Sequence, residues 1–226
     1  LCADSLDGMA YAVPTGGAPI YNYSWNDGSG VVSINDTLTA GAGTYTVTIT
    51  DGLGCTGTDQ VIIAEPTQVI ASIPTSTDES CIGAVDGTAT AAGANGTGGY
   101  TYSWDTNPIQ NTITATGLAP GNYIVTVYDA NLCADTTSVP IFNGPIITSS
   151  VVGDSVSCFG GNDGSANLTV GGGTAPYAFN WVPSGAIAED PTGLSAGWPF
   201  VTVTSFEGCL IVDSIEIFEP AVDECC

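Results

Sequence analysis

The stretch GNYIVTVYDANLC runs from residue 121 to 133, and nearly the same line stands earlier as GTYTVTITDGLGC at 43–55. A third, altered copy reads GWPFVTVTSFEGC at 197–209. In the earliest copy Tyr45, Val47 and Ile49 alternate with Thr44, Thr46 and Thr48. A period of two puts the apolar side chains on one face and the hydroxyls on the other, as in a half-buried β-strand. Each line then runs into a short turn that ends on a cysteine.

The cysteines around this line keep a rhythm. Cys2, Cys81 and Cys158 lie 79 and 77 residues apart, and Cys55, Cys133 and Cys209 lie 78 and 76 apart. Asp7-Gly8, Asp86-Gly87 and Asp163-Gly164 each follow the first cysteine by the same step. Aromatic segments come next, YNYSW (21–25), YTYSW (100–104) and YAFNW (177–181), and each unit closes at Pro66, Pro145 or Pro220. Self-similarity at a fixed period marks a repeat architecture. The expected units are 1–66, 67–145 and 146–220, followed by an acidic tail, 221–226, with two cysteines. Turn residues every 8 to 12 positions leave room for about seven short strands per unit and no helix. The predicted fold is all-β: three tandem immunoglobulin-like antiparallel β-sandwich repeats of about 77 residues. Linkers as short as AEP (64–66) and NGP (143–145) predict a fairly stiff rod.

Composition narrows the function. The 226 residues include no Lys, Arg or His against 23 acidic residues. Without cations the chain has nothing to neutralise phosphates, which excludes nucleic acid and anionic lipid as partners. Only carboxylates, hydroxyls, phenols and thiols remain for catalysis, and no spacing points to a two-carboxylate glycosidase, so no enzyme is expected. No run of 18 apolar residues exists, so no membrane insertion is expected. No signal peptide is visible, and a start at Leu1 fits a mature or excised piece.

The first cysteine of each unit precedes the second strand and the second follows the sixth. One disulfide per repeat is therefore expected, Cys2–Cys55, Cys81–Cys133 and Cys158–Cys209, each closing a loop worth roughly 4 kcal/mol. Thiol metal sites are set aside because no CxxC pair or His is present. Disulfides imply an extracellular or cell-surface setting.

The order Cys, Asp-Gly, aromatic-x-aromatic-x-Trp, Leu-x-x-Gly-x-Tyr-x-Val-Thr-Val, Asp, Cys, Pro resembles the SprB-type repeat. The match runs through CFGGNDGSA (158–166), GGTAPYAFNW (172–181) and LAPGNYIVTVYDANLC (118–133). That family occurs in large gliding adhesins and other surface proteins of Bacteroidota, and polycystic-kidney-disease-type domains share some of its motifs. The resemblance implies secreted sandwich modules in adhesins, stalks or filaments, without catalytic residues. This chain departs from the pattern in three places. Unit one lacks the strand before Cys2 that units two and three carry as VIASI (69–73) and IITSSVV (146–152). Unit three has Pro199 where Tyr45 and Tyr123 would make tyrosine corners. The tail ends in Cys225 and Cys226, outside the rhythm.

Several residues are candidates for function. The aromatic stripes either stack sugars or form core strands with the Trp inward. Trp198 and Phe200, with Phe206, are expected to point outward, either to contact a neighbouring domain or subunit or to be shielded by a local loop or a glycan. Asp7, Asp86 and Asp163 are turn residues or calcium ligands, calcium being the one candidate cofactor. Ser5, Thr37, Thr136, Ser155 and Ser214 follow Asp in the O-glycosylation pattern that the family resemblance makes relevant. Asn35, Asn95 and Asn167 carry N-glycosylation sequons, as does Asn22 inside a strand. A first unit without its first strand exposes unpaired backbone, so either the chain is a slice of a longer array or copies join head to tail. In that joint the tail of one copy completes the first unit of the next, and Cys225 or Cys226 locks it. The reading is an extracellular structural or adhesive module of a bacterial surface adhesin or filament, with copies of itself, neighbouring repeats or glycans as partners. The alternative is a carbohydrate-binding module array.

Overall fold

The computed structural model describes residues 2–222. Every regular element among them is a β-strand. The chain divides into two compact units. One is Leu1–Thr75 with Thr90–Thr114 and Tyr123–Ser138; the other is Ser76–Ala89 with Ala115–Asn122 and Val139–Cys226.

Repeat one contributes β1 (Gly8–Tyr11), β2 (Asn22–Asn26), β3 (Val31–Ser33), β4 (Thr37–Ala40), β5 (Gly43–Thr50) and β6 (Thr56–Ile63). They form a two-stranded sheet, β1–β4, and a four-stranded sheet, β3–β2–β5–β6. Repeat two contributes β7 (Ile70–Thr77), β8 (Gly87–Ala94), β9 (Thr101–Trp104), β10 (Thr114–Leu118), β11 (Gly121–Tyr128) and β12 (Ala134–Ile141). Its sheets have the orders β10–β8–β7 and β12–β11–β9. Repeat three contributes β13 (Ile147–Asp154), β14 (Gly164–Gly172), β15 (Ala178–Val182), β16 (Thr192–Leu194), β17 (Phe200–Thr204) and β18 (Leu210–Ser214). Its sheets are β13–β14–β16 and β15–β17–β18.

Each repeat thus has six regular strands where turn spacing suggested about seven. In repeats two and three the missing pass is the segment between the aromatic strand and the next. There Pro108, or Pro183 and Pro191, withholds the N–H that a ladder needs.

The alternation read from the sequence holds where the core forms. Val47, Val125 and Val201 lie inside, as do Val127 and Val203. Trp25, Trp104 and Trp181 are at most 2 % exposed. Each indole N–H donates to a backbone carbonyl, of Asn35 at 2.9 Å, Thr112 at 3.0 Å and Ala188 at 3.0 Å respectively. A buried indole needs that partner, so the Trp both fills the sandwich and fixes the loop beyond it. Tyr21, Tyr100 and Tyr177 repeat a second device, each donating its hydroxyl to the carbonyl five residues back, of Gly16, Asn95 and Gly172. Tyr45 makes the expected corner, its hydroxyl donating to Gly41 O at 3.1 Å. Pro199 replaces that Tyr in repeat three, where the backbone is held instead by Ile215 N–H donating to Pro199 O at 3.2 Å and by a bridge between Gly197 and Ile217.

The disulfides correct the expected pairing. Cys2 bonds Cys133 and Cys81 bonds Cys209, with Cα separations of 5.3 Å and 5.5 Å. Cys55 is a free, exposed thiol, and Cys158 is also disulfide-bonded. The first cysteine of one repeat therefore bonds the second cysteine of the next. Repeat three shows why a bond within one repeat is out of reach. Cys209 Sγ lies 4.0 Å from Pro145 O, just before β13 begins. Cys158 lies beyond the other end of β13, in the turn closed by the Asp154–Ser165 pair. Seven steps of extended chain span about 23 Å, whereas a disulfide needs Cα atoms within about 7 Å. Cys225 and Cys226 lie outside the described residues.

Candidate functional site

Two features stand out once the fold is in place: the loops that carry the second cysteines, and the edge of repeat one.

The three cysteine loops are built alike. Asp51, Asp129 and Ser205 each donate the backbone N–H to the carbonyl of Cys55, Cys133 and Cys209 at 2.9 Å. Gly54, Leu132 and Gly208 each donate back to the first residue of the loop at 3.0 Å. In the first two loops the Asp side chain takes over the remaining donors. Asp51 accepts from Ala18 N at 3.0 Å, Leu53 N at 3.0 Å and Cys55 N at 2.8 Å. Asp129 accepts from Thr97, Asn131 and Cys133, all at 2.9 Å. In repeat three the task is divided. Ser205 Oγ accepts from Cys209 N at 3.2 Å, while Glu207 reaches Thr174 N at 3.1 Å. The altered third line is thus a different solution to the same turn.

These hydrogen bonds favour the charged carboxylates. The Asp51 pKa is lowered, chiefly by the Ala18 N–H; that of Asp129 is lowered, chiefly by Thr97; and that of Glu207 is lowered, chiefly by Thr174. A lowered folded-state pKa gives stability that is complete above the unfolded value and is lost as pH falls through the folded one. The gap in unfolding midpoint between the native chain and an Asp129→Asn variant is therefore expected to be widest near pH 6. It should shrink as pH falls below about 4. A gap independent of pH would refute this role for the charge. Comparing two chains at each pH cancels the general relief of self-repulsion that acid brings to a chain of net charge −23.

The edge of repeat one is open. In repeat three β13 runs antiparallel to β14 along eight residue pairs, from Ile147–Gly172 to Asp154–Ser165. It also lies against β18, where Ser149 Oγ donates to Asp213 at 2.9 Å. In repeat two Ala71 N on β7 donates to Asp135 on β12 at 2.8 Å. Among the described residues repeat one has no strand in that place. Its counterpart of the eight-residue β8 and nine-residue β14 is β1, only four residues long. Between β1 and β6 lies a groove of about 680 Å³ whose lining includes Ala10, Trp25, Val47, Val61, Asp59 and Cys55. Asp59 follows Cys55 by the same step as Asp213 follows Cys209.

Beside the groove Met9, Tyr11 and Val13 are 55, 67 and 80 % exposed. The same outward positions hold Thr88, Thr90 and Ala92 in repeat two and Ser165, Asn167 and Thr169 in repeat three. This apolar stripe escaped the sequence reading, although aligning the three repeats position by position would have shown it.

The structure places the other candidates as follows. Trp198 and Phe206 are exposed and Phe200 is 39 % exposed, while Val201 and Val203 beside it are fully buried. Asp86 accepts from Ser80 N and Asp163 from Ser157 N, at 2.8 Å and 2.9 Å, and Asp7 accepts from the Ser5 hydroxyl. Among the described residues no three acidic, Cys or His side chains converge on one point. Thr136, Ser155 and Ser214 are exposed, as are Asn35, Asn95 and Asn167; Ser5 and Thr37 are half-buried. The three tryptophans of the aromatic stripes lie inside the sandwiches, where no sugar can stack on them.

Among solved structures, the three N-terminal domains of the bacteriophage RB49 outer capsid protein Hoc share 17% sequence identity with this chain. The likeness covers 96% of both chains at a TM-score of 0.45. A bacterial ice-binding adhesin of 1.5 MDa shares 14% identity over 86% of this chain and 83% of the solved one, at a TM-score of 0.36. Neither likeness bears on what the chain binds. Among curated proteins no sequence matches. The SprB repeat family, by contrast, matches three times, at residues 1–30, 73–108 and 151–186. With one match in each of the three sandwiches, all three repeats of this chain are similar to the SprB repeat.

Proposed function

We propose that the chain is an extracellular adhesive or structural module of a bacterial surface adhesin or filament, and that copies join head to tail by strand complementation. The observation that carries this reading is the groove in repeat one, at the place that β13 fills in repeat three. An added strand would pair with β1, cover Ala10 and Val61, and meet Asp59 as Ser149 meets Asp213. The second copy supplies a natural candidate in Val222, two residues past Pro220 as Ile147 is two past Pro145, and 71 % exposed. The disulfides support an oxidising compartment. The exposed aromatics Trp198 and Phe206 suit a contact with a neighbouring subunit, and Thr136, Ser155 and Ser214 offer accessible hydroxyls for O-linked glycans. The buried tryptophans argue against a sugar-binding platform.

The test is light scattering of the chain over a range of concentration and salt. Multimers are expected to grow with both, since salt screens the repulsion between copies of net charge −23. An excess of a peptide with the sequence of residues 146–154 is expected to occupy the groove and disperse them. A chain that stays monomeric throughout, or multimers indifferent to the peptide, would overturn the proposal.

A further inference from the structure

The free thiol of Cys55 breaks the pattern of the other second cysteines. Cys133 and Cys209 hold the same place in their repeats, and each is bonded to the first cysteine of the repeat before it, Cys2 and Cys81. The Cys55 loop has the same internal backbone hydrogen bonds as theirs, at matching distances, and shares the Asp side-chain bond to the cysteine N–H with the Cys133 loop. It is folded in the form that receives a sulfur, yet its thiol stands exposed at the margin of the open groove. In repeat three the start of β13 packs beside the receiving cysteine: Ile147 and Cys209 belong to one core cluster. Groove and thiol in repeat one are therefore two halves of a single receiving end, one for a strand and one for a cysteine.

We infer that Cys55 receives a disulfide from Cys158 of a second copy, which repeats between subunits the staple that already joins repeat one to repeat two and repeat two to repeat three. The inference rests on the head-to-tail reading. Cys158 is the first cysteine of the third repeat, the class of cysteine that the other two loops bind. It is already in a disulfide, so no oxidant is needed. The Cys55 thiol gives up its proton, and its thiolate attacks Cys158 Sγ of the neighbouring copy. The old S–S bond breaks as the new one forms, and the displaced thiolate takes up a proton. One disulfide and one thiol enter, and one disulfide and one thiol leave.

The test is incubation of the purified chain at pH 8 without air or metal, followed by a non-reducing gel and by mass spectrometry of peptides cut at acidic and aromatic residues. The expected result is a ladder of multimers that collapses on reduction, with a cross-linked peptide joining Cys55 to Cys158. A Cys55→Ser variant is expected to keep the native unfolding midpoint and lose the ladder, because the side chain is exposed and unbonded. The inference is overturned if no ladder forms, if Cys55→Ser still ladders, or if the cross-link joins Cys55 to another Cys55, to Cys225 or to Cys226. Light scattering on Cys55→Ser separates the two readings. Multimers that the 146–154 peptide disperses would keep strand complementation and sink only the staple. A Cys55→Ser chain that stays monomeric, beside a native chain that also fails to assemble, would sink both.

Discussion

A chain carrying Cys81→Ser and Cys209→Ser together is expected to unfold at a much lower urea concentration than the native protein. The bond spans 128 residues, and in the chain-entropy account closing a loop of that length restricts the unfolded state by about 5 kcal/mol. That is comparable to the whole stability of a small domain. The paired substitution leaves neither sulfur of this bond orphaned. A Cys55→Ser variant serves as the control and is expected to leave the midpoint within experimental error. Under the pairing Cys2–Cys55, losing Cys55 would remove a disulfide and cost several kcal/mol. Similar large losses in both chains would therefore refute the pairing described above, and a large loss in the double variant alone would support it.

Replacing Trp181 by alanine is the second large effect. The side chain is wholly buried and packs with Leu168, Leu194, Val201 and Val203. Truncating a core Trp costs about 3–5 kcal/mol through lost transfer energy and the cavity left behind. The change also strips Ala188 O of its donor at 3.0 Å, which adds to the cost wherever water cannot replace it. Trp181→Phe is expected to lose less, since a ring still fills most of the space. The measurement is the denaturant midpoint, followed by fluorescence of the remaining tryptophans and by circular dichroism. A Trp181→Ala loss under about 1 kcal/mol would mean that the indole does not organise the third sandwich.

The aromatic stripes and the cysteine lines could be read as strands because a sheet with one buried face writes its geometry into the chain as a period of two. Tyr45, Val47 and Ile49 carried that signal, and so did Tyr23 and Trp25. The absence of a strand before Cys2 was legible as well, because two other repeats showed what belonged there. The altered third line was only partly legible. Its outward aromatics could be seen in Trp198 and Phe200, but the division of the Asp129 role between Ser205 and Glu207 could not, since it depends on which backbone N–H lies within reach.

The disulfide pairing failed for an identifiable reason. The first cysteine follows the first pass of the chain through the sandwich and the second follows the sixth. Alternate passes run in opposite directions, so an odd pass and an even pass finish at opposite ends of the sandwich. The two cysteines of one repeat were thus placed about a strand length apart, and the near neighbour of each had to come from an adjacent repeat. Equal spacing along the chain suggested partners within a unit because spacing records order and not direction.

By itself the sequence determined the class of fold, the three-fold repetition and the face of each strand that turns inward, since periodicity and repetition are local and are copied along the chain. Only the tertiary structure decided which sulfurs meet, that Cys55 is left free, and that an apolar stripe of Met9, Tyr11 and Val13 borders an open groove. Those outcomes depend on the ends to which the strands run and on which neighbour covers which edge, and distances through space of that kind are not written in the order of residues.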